Sequence, residues 1–348
     1  MSDLPTTMMA VTKPTPAPGV VIKEVPVPKC GPDDVLVKIQ AASICGTDVH
    51  IYNWDAWASG RMHPPLTIGH ELAGVIVKVG SNVSRVKPGD FVSAESHVIC
   101  GKCLQCRLGQ YHTCQNVKIL GVDTDGCFAE YAVVPENNVW VNDVGLPAHL
   151  ASAQEPLGNA VYATLIEPVT AASVAIFGCG PVGLCAAAVA KAAGASLVVA
   201  VDINPYRLDL AARMGAYATL NPNEIDVVAE LKRRTNGNGV DVVLEMSGHP
   251  TCVQQGLDSL RLGGRFTAFG IPAKPVTVDF NEIIFKGIRL LGVSGRRMFE
   301  TWYQTAALLK TERLNLSPLV THRLPMSDFD KAMDIMKSGL SGKIVVSP

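Results

Sequence analysis

The chain has 348 residues, which at about 150 residues per domain suggests two domains. Thirty Lys and Arg against 31 Asp and Glu leave a net charge of −1, so no overall field draws DNA, RNA or an acidic membrane. With 48% hydrophobic and 18% charged residues the chain is too apolar for disorder, and 31 Gly and 23 Pro exclude collagen-like and low-complexity readings.

The opening segment lacks a basic stretch followed by an apolar core, so no secretory signal is expected. Up to about residue 150, short apolar runs are broken by Gly, Pro and Asp. Asp34–Ile39, Gly74–Val79, Asp90–Ser93 and Phe128–Val134 read as strands of a β-rich domain. The character changes near Ala151, where Ala163–Leu165 is helix-forming. Pro168 to Ala190 is charge-free and nominally long enough to span a bilayer. Gly178, Gly180, Pro181 and Gly183 in its middle fit a strand, a tight turn and a helix better, so no membrane span is expected.

From Ser173 onward strands and helices alternate. Strands are predicted at Ser173–Phe177, Leu197–Val201, Val240–Glu245, Arg265–Phe269 and Ile288–Val293. Helices are predicted at Pro181–Ala193, Pro205–Met214, Glu224–Arg234 and Cys252–Leu260. Such alternation implies an α/β domain with a doubly wound parallel sheet. Two more helices, Met298–Leu309 and Asp328–Lys337, precede a strand at Gly342–Val346. Pattern alone leaves open whether this tail extends the α/β domain or returns to the first.

Gly178-Cys-Gly-Pro-Val-Gly183 is a G-x-G-x-x-G motif placed between a predicted strand and a predicted helix. Gly178 suits the tight turn, Gly180 the close approach of a pyrophosphate, and Gly183 the packing of helix on strand. Amides at the helix start then face the phosphates. Asp202 ends the next strand, where a carboxylate accepts from the adenosine ribose, so NAD is preferred over NADP. Arg207 pulls the other way or stacks on adenine. The competing reading is a Gly-rich turn without a nucleotide.

Of ten cysteines, four form Cys100-x2-Cys103-x2-Cys106-x7-Cys114. One loop carrying four thiols suits a closed tetrahedral zinc site and a reducing cytosol rather than a disulfide scaffold. An iron–sulfur cluster or a redox pair competes. A nucleic-acid zinc ribbon is disfavoured by the few basic residues nearby, Lys102 and Arg107. Cys45, His70 and Glu71, with Glu155 as a possible addition, offer a thiolate, an imidazole and carboxylates. Three protein ligands would leave an open position for substrate, but spacing alone makes this set weak.

Gly69-His-Glu-Leu-Ala-Gly74 with Gly80, Cys45-Gly-Thr-Asp-Val-His50, the four-cysteine loop and the dinucleotide motif follow one another in order. Together they resemble the zinc-containing medium-chain dehydrogenase/reductase superfamily over essentially the whole chain. Further segments narrow the likeness: Ile51-Tyr-Asn-Trp54, Glu155-Pro-Leu-Gly-Asn-Ala160, Glu245-Met-Ser-Gly248, Phe285-Lys-Gly287, Gly295-Arg296, Met298–Tyr303 and Leu316–His322. These are similar to the bacterial and archaeal threonine dehydrogenases of that superfamily. Arg297, where an acidic or neutral residue is expected in many relatives, is a departure.

The resemblance implies a GroES-like β-barrel catalytic domain (1–156 and 296–348) and a Rossmann NAD-binding domain (157–295). It implies a cytoplasmic homotetramer that oxidises L-threonine to L-2-amino-3-oxobutyrate with NAD, carrying two zinc ions per chain. By the same carry-over Cys45, His70 and Glu71 hold the catalytic zinc, and Cys100, Cys103, Cys106 and Cys114 the structural one. Thr47 and His50 match a proton relay, and Glu155 an acidic residue near the metal that ligates it, binds a water or attracts the substrate ammonium. Gly178, Gly180, Val182, Gly183, Asp202, Arg207, Phe269, Gly270, Ile271, Val293 and Ser294 match NAD contacts. The implied chemistry is loss of the hydroxyl proton beside zinc and transfer of hydride to the nicotinamide.

His97 and Arg296 are candidates for the substrate carboxylate, though each suits a cofactor contact or a structural pair equally well. Trp54 and Trp57 either wall the pocket or fill a core. His63, His112, His149 and His249 read as structural or surface residues, and His322 has no assigned role. A polyol or diol dehydrogenase is the competing enzyme, and a non-catalytic scaffold the competing class.

Overall fold

In the computed structural model, residues 4–311 and 313–348 are described, and they fall into two compact units. One comprises Met1–Glu155 with Val320–Pro348, the other Pro156–Leu319.

The first unit is β-rich. Its central strand, Asp34–Ser43, pairs antiparallel with Glu71–Val79, with Tyr131–Pro135 and with Lys343–Ser347. Phe91–Ala94 and Val139–Val141 extend the sheet on one side, and Val320–Pro325 beyond Lys343–Ser347 on the other. Thr7–Lys13 makes a smaller sheet with Val21–Pro26 and Leu66–Thr67. The Val11 amide donates to the Phe128 carbonyl at 2.8 Å, joining the small sheet to the segment that leads into Tyr131–Pro135. Val11, Val37, Ile39, Leu72, Ile76, Val134, Phe329 and Ile344 from these strands and the C-terminal helix share one buried core.

The strand-only reading of this region misses two helices, Gly46–Asn53 and Ala56–Arg61. Asp55 starts the second, its side chain accepting from the amides of Trp57 and Ala58 at 3.0 and 3.1 Å. The helix Glu300–Lys310 stays with the second unit, and the chain rejoins the first only at Val320. The crossing is made by strand pairing, and the first residue in register with the terminal strand is Val320, opposite Lys343.

The second unit holds a six-stranded, all-parallel sheet in the order Ala218–Leu220, Leu197–Val201, Ser173–Phe177, Val240–Glu245, Leu260–Ala268, Arg289–Gly292. Numbered by sequence this is 3-2-1-4-5-6, the doubly wound order of dinucleotide-binding sheets. Ser173–Phe177 is buried throughout, as a central parallel strand covered on both faces should be. The predicted helix at Glu224 begins at Val227 instead. Asn221 and Asp226 take backbone amides with their side chains, Asn223 N–H at 3.0 Å and Ala229 N–H at 3.0 Å, and hold residues 221–226 in turns. Among the described residues no helix is long and apolar enough to cross a membrane.

Candidate active site

The ligand atoms of Cys45, His70 and Glu71 lie within 4.8 Å of one another, with His70 and Glu71 buried. Each arrives by a local device. Cys45 precedes the helix Gly46–Asn53, and its amide donates to Asp48 Oδ2 at 2.8 Å, which fixes the helix entry. His70 follows Gly69, whose φ of +95° favours glycine; a Cβ there would meet the Phe128 ring at 2.6 Å. Glu71 opens the strand beside the central one, opposite Ser43.

Three residues not singled out from sequence support these groups. Asp48 is fully buried, and its Oδ1 lies 3.9 Å from His70 Nδ1; neither atom has a hydrogen-bond partner among the described residues. Burial pushes the Asp48 carboxyl up to about 6. Ser43 donates to Glu71 Oε2, and Lys343 donates to Glu71 Oε1 at 2.7 Å. Burial opposes the Lys343 ammonium, but Glu71 and Cys45 outweigh it and raise its pKa. Burial likewise opposes a charged His70, yet its hydrogen bond to Cys45 and the charges of Cys45, Asp48 and Glu155 hold it up at about 10. Asp48 lay inside a segment already quoted. Lys343 carried one signal, a lone cation leading an apolar terminal run.

Glu155 is buried and accepts from Ser96 Oγ at 2.6 Å. The same hydroxyl is 3.2 Å from His97 Nδ1, which also lies 3.2 Å from Glu95 Oε1. His97 therefore belongs to a polar chain that includes Glu155. Thr47 Oγ1 is 3.7 Å from Cys45 Sγ. His50 is exposed, with Nδ1 2.5 Å from Asp55 Oδ2 and its ring 6.0 Å from that of Trp57. Trp54 packs on the core with Lys13 Nζ 5.1 Å from its ring centre, while Trp57 is half-exposed.

In the cysteine loop the Sγ separations are 3.5 Å for Cys103–Cys106, 3.9 Å for Cys103–Cys114 and 3.6 Å for Cys100–Cys114. A zinc–sulfur bond of about 2.3 Å implies a tetrahedral edge of about 3.8 Å. The four thiols thus fit one zinc ion, and their closeness leaves no room for a cluster of several irons. Amides of Lys102 and Cys103 pull the Cys100 thiol down to about 6, and those of Cys106 and Gln115 lower Cys103. The smaller set fits a second zinc, with a soft thiolate, an imidazole and a carboxylate around one buried point.

In the second unit the predicted cofactor residues cluster at the carboxyl ends of the parallel strands. Gly178 follows Phe177, Asp202 follows Val201, Phe269 follows Ala268, and Val293 follows Gly292. Gly178 has φ +96°, and a Cβ on Gly183 would lie 1.9 Å from the Gly178 carbonyl oxygen. A Cβ on Gly180 would meet nothing within 4 Å, so that position faces open space beside the start of Pro181–Ala192. Asp202 Oδ2 accepts from the Cys179 amide at 2.7 Å and Oδ1 from the Asn204 amide at 2.8 Å. Arg207 Nε is buried without a partner among the described residues. Phe269 and Gly270 are half-buried, and Ile271 and Ser294 are exposed. These residues fit a dinucleotide.

Arg296 is buried in this same unit and donates to Asn159 Oδ1 at 3.2 Å, with its stem against Gly158. Arg297 sits 5.2 Å from the Tyr162 ring centre and pairs with Glu300 at 3.4 Å, which accounts for a cation there. His149 bonds to Arg323, and His249 accepts from the Thr251 amide at the start of Pro250–Ser259. His322 Nδ1 is 2.9 Å from Thr321 Oγ1.

A doubly wound sheet with a glycine-rich turn, in one chain with a β-rich unit carrying two zinc-type ligand sets, defines a zinc-dependent dehydrogenase. Residues 31–143 match the alcohol dehydrogenase GroES-like domain family, and residues 181–311 the zinc-binding dehydrogenase family. The chain is 54% identical over 346 residues to L-threonine 3-dehydrogenase of Symbiobacterium thermophilum, covering 98% of each chain. It is 49% identical to the Pyrococcus horikoshii enzyme of the same name, covering 97% of this chain and 98% of that one. Among solved structures, a putative zinc-binding dehydrogenase from Sinorhizobium meliloti bound to NADP superposes with TM-score 0.92 at 29% identity, covering 99% of this chain and 100% of that one. The 2R,3R-butanediol dehydrogenase of Bacillus subtilis gives 0.89 at 29% identity, covering 98% and 99%. The chain belongs to the L-threonine 3-dehydrogenase family of zinc-binding medium-chain dehydrogenases.

Proposed function

We propose that this chain oxidises L-threonine to L-2-amino-3-oxobutyrate with NAD, with Met1–Glu155 and Val320–Pro348 as the catalytic unit and Pro156–Leu319 as the dinucleotide unit. The observation that carries the reading is the convergence of Cys45, His70 and Glu71 within 4.8 Å in a chain whose near relatives bear that activity's name. Zinc held there supplies Lewis acidity that makes a neighbouring hydroxyl easier to deprotonate. NAD supplies the two-electron acceptor.

The remaining work falls to the chain. Thr47, whose hydroxyl lies beside the Cys45 thiol, accepts the substrate's hydroxyl proton as it gives up its own, and exposed His50 passes a proton on to solvent. Asp55 holds the His50 ring from its Nδ1 side. Glu155 sets a negative charge near the metal ligands that attracts the substrate ammonium, while Ser96 fixes its carboxylate. His97, tied to Ser96 and Glu95, is assigned to the substrate carboxylate. Arg296 is assigned to positioning the Asn159 segment rather than to substrate.

NAD is preferred because Asp202 is a carboxylate pinned by two amides, a fixed negative charge unfavourable to an added phosphate. Self-association, with a homotetramer as the family's common form, is supported by exposed Phe280, Ile284 and Phe285 on the helix Phe280–Lys286. Ten cysteines outside any disulfide support a reducing cytoplasm. The test is NADH formation with L-threonine, sorbitol and 2,3-butanediol as alternative substrates. Fast turnover of threonine is expected; an inert threonine beside a fast diol overturns the reading.

A further inference from the structure

Glu245 ends the central strand Val240–Glu245, paired with Phe177 on one side and Ala268 on the other. Its carboxylate is buried at 1% exposure. Oε1 accepts from the Ser247 amide at 2.9 Å, the Ser247 hydroxyl at 2.5 Å and the Gly248 amide at 3.0 Å. Oε2 accepts from the Gly248 amide at 3.1 Å. Its backbone carbonyl takes the amides of Phe269 and Gly270, both at 3.0 Å. An ionised carboxylate held by amides is a strong, charge-assisted arrangement, and its loss leaves several donors unpaired in the interior.

The turn that this carboxylate gathers touches both halves of the cofactor edge. A Cβ on Gly178 would meet Ser247 Cβ at 2.9 Å, and one on Gly248 would meet the Ile271 carbonyl oxygen at 2.5 Å. A Cβ on Gly270 would meet Gly248 N at 2.1 Å and Glu245 Oε2 at 2.7 Å. The Ser247–Gly248 turn is therefore wedged between the glycine-rich turn and the Phe269–Ile271 segment, with no slack on either side. Nothing within the sheet requires an acid at this strand end. A carboxylate suits it because it alone accepts from every donor of the turn at once.

We propose that Glu245 is a positioning residue for the dinucleotide: it holds the Ser247–Gly248 turn as a spacer that sets the separation of the phosphate-binding turn from the segment Phe269–Ile271. The role rests on the dinucleotide reading of Gly178–Gly183 and acts through backbone, so Glu245 itself need not touch the cofactor.

The test uses the full chain with its metals and measures NADH affinity by nicotinamide fluorescence for the unmodified protein, Glu245→Gln and Glu245→Ala. Thermal melting and zinc content are recorded in parallel. NADH affinity should fall roughly tenfold in Glu245→Ala, with an intermediate loss in Glu245→Gln, which keeps the shape and one acceptor. The KM for NAD should rise in parallel, while the KM for threonine, kcat at saturating NAD and zinc content stay within about twofold. If Glu245→Ala does not fold, Glu245→Gln decides alone. A folded Glu245→Gln with unmodified NADH affinity overturns the role, as does a variant in which both KM values rise and kcat falls together. An unmodified chain that binds no NADH overturns the dinucleotide reading and this proposal with it.

Discussion

Lys343, five residues from the end of the described chain, donates to Glu71 Oε1 at 2.7 Å inside the first unit. Both side chains are essentially without solvent exposure, and Lys343 also donates to the Ile44 carbonyl at 2.9 Å. The terminal strand thus sets the charge balance around a zinc-type carboxylate. Removing one partner of a buried pair strands the other. Lys343→Met should cost about 3–5 kcal/mol of stability in chelator-treated protein, and less in zinc-loaded protein, where the cation offsets Glu71. Urea unfolding with and without zinc checks this; equal costs in both states would contradict it.

Glu155 is near enough to act electrostatically on His70, and Ser96 holds its carboxylate; it is not one of the grouped ligands Cys45, His70 and Glu71. Glu155→Ala should lower kcat by about a hundredfold, the scale of a lost charged catalytic group, while zinc content holds. Elemental analysis alongside turnover separates the two effects. Parallel loss of zinc and rate would make Glu155 a ligand.

The four-thiol lobe is expected to hold one zinc ion independently. Cys103→Ser should lower zinc content from two ions per chain to one and open the loop 100–114 to proteolysis, because an empty tetrahedral site has no other core. Retention of both ions would mean that the fourth ligand is dispensable.

Gly183 leaves no space for a side chain, since a methyl group added there would sit 1.9 Å from the Gly178 carbonyl oxygen. Gly183→Ala should push the helix Pro181–Ala192 off its strand, raise the KM for NAD at least about tenfold and destabilise the unit by about 1–3 kcal/mol. Titration with NADH and thermal melting read the two effects. Unaltered cofactor affinity would sever the link between this contact and the phosphate turn.

Lys13 is buried, and that burial pulls its pKa down from 10.5 to about 8. Its ammonium donates to the Gly19 carbonyl at 2.8 Å and stacks near Trp54. The folded pKa lies below the unfolded one, so the penalty is present below about pH 8 and fades as pH rises toward 10.5. Relative to Lys13→Met, the unmodified protein should therefore gain stability across that window. Paired urea midpoints measured from neutral to alkaline pH decide it; a difference that stays flat contradicts the assignment.

Much of the site was legible as spacing. Cys100, Cys103, Cys106 and Cys114 lie in one loop, and Gly178, Gly180 and Gly183 in one turn, so local chain geometry brings them together wherever the loop sits. The parallel sheet was legible because Ser173–Phe177, Leu197–Val201 and Val240–Glu245 are continuous apolar strands between helices. The helix Gly46–Asn53 was not. Its apolar and polar residues show little periodicity, and Cys45 and Asp48 start it by a backbone contact that composition does not reveal.

By itself, then, the order of residues determined the two-unit plan, the four-thiol loop and the glycine turn, because each depends on neighbours a few positions apart. Tertiary structure alone decided that Lys343 faces Glu71 across 272 positions, that Ser96 faces Glu155 across 59, and that Glu245 wedges one turn between two others. Those relationships depend on which strands pair and in what register. That register follows from burying whole strand faces together, a property of the assembled core that no single segment carries.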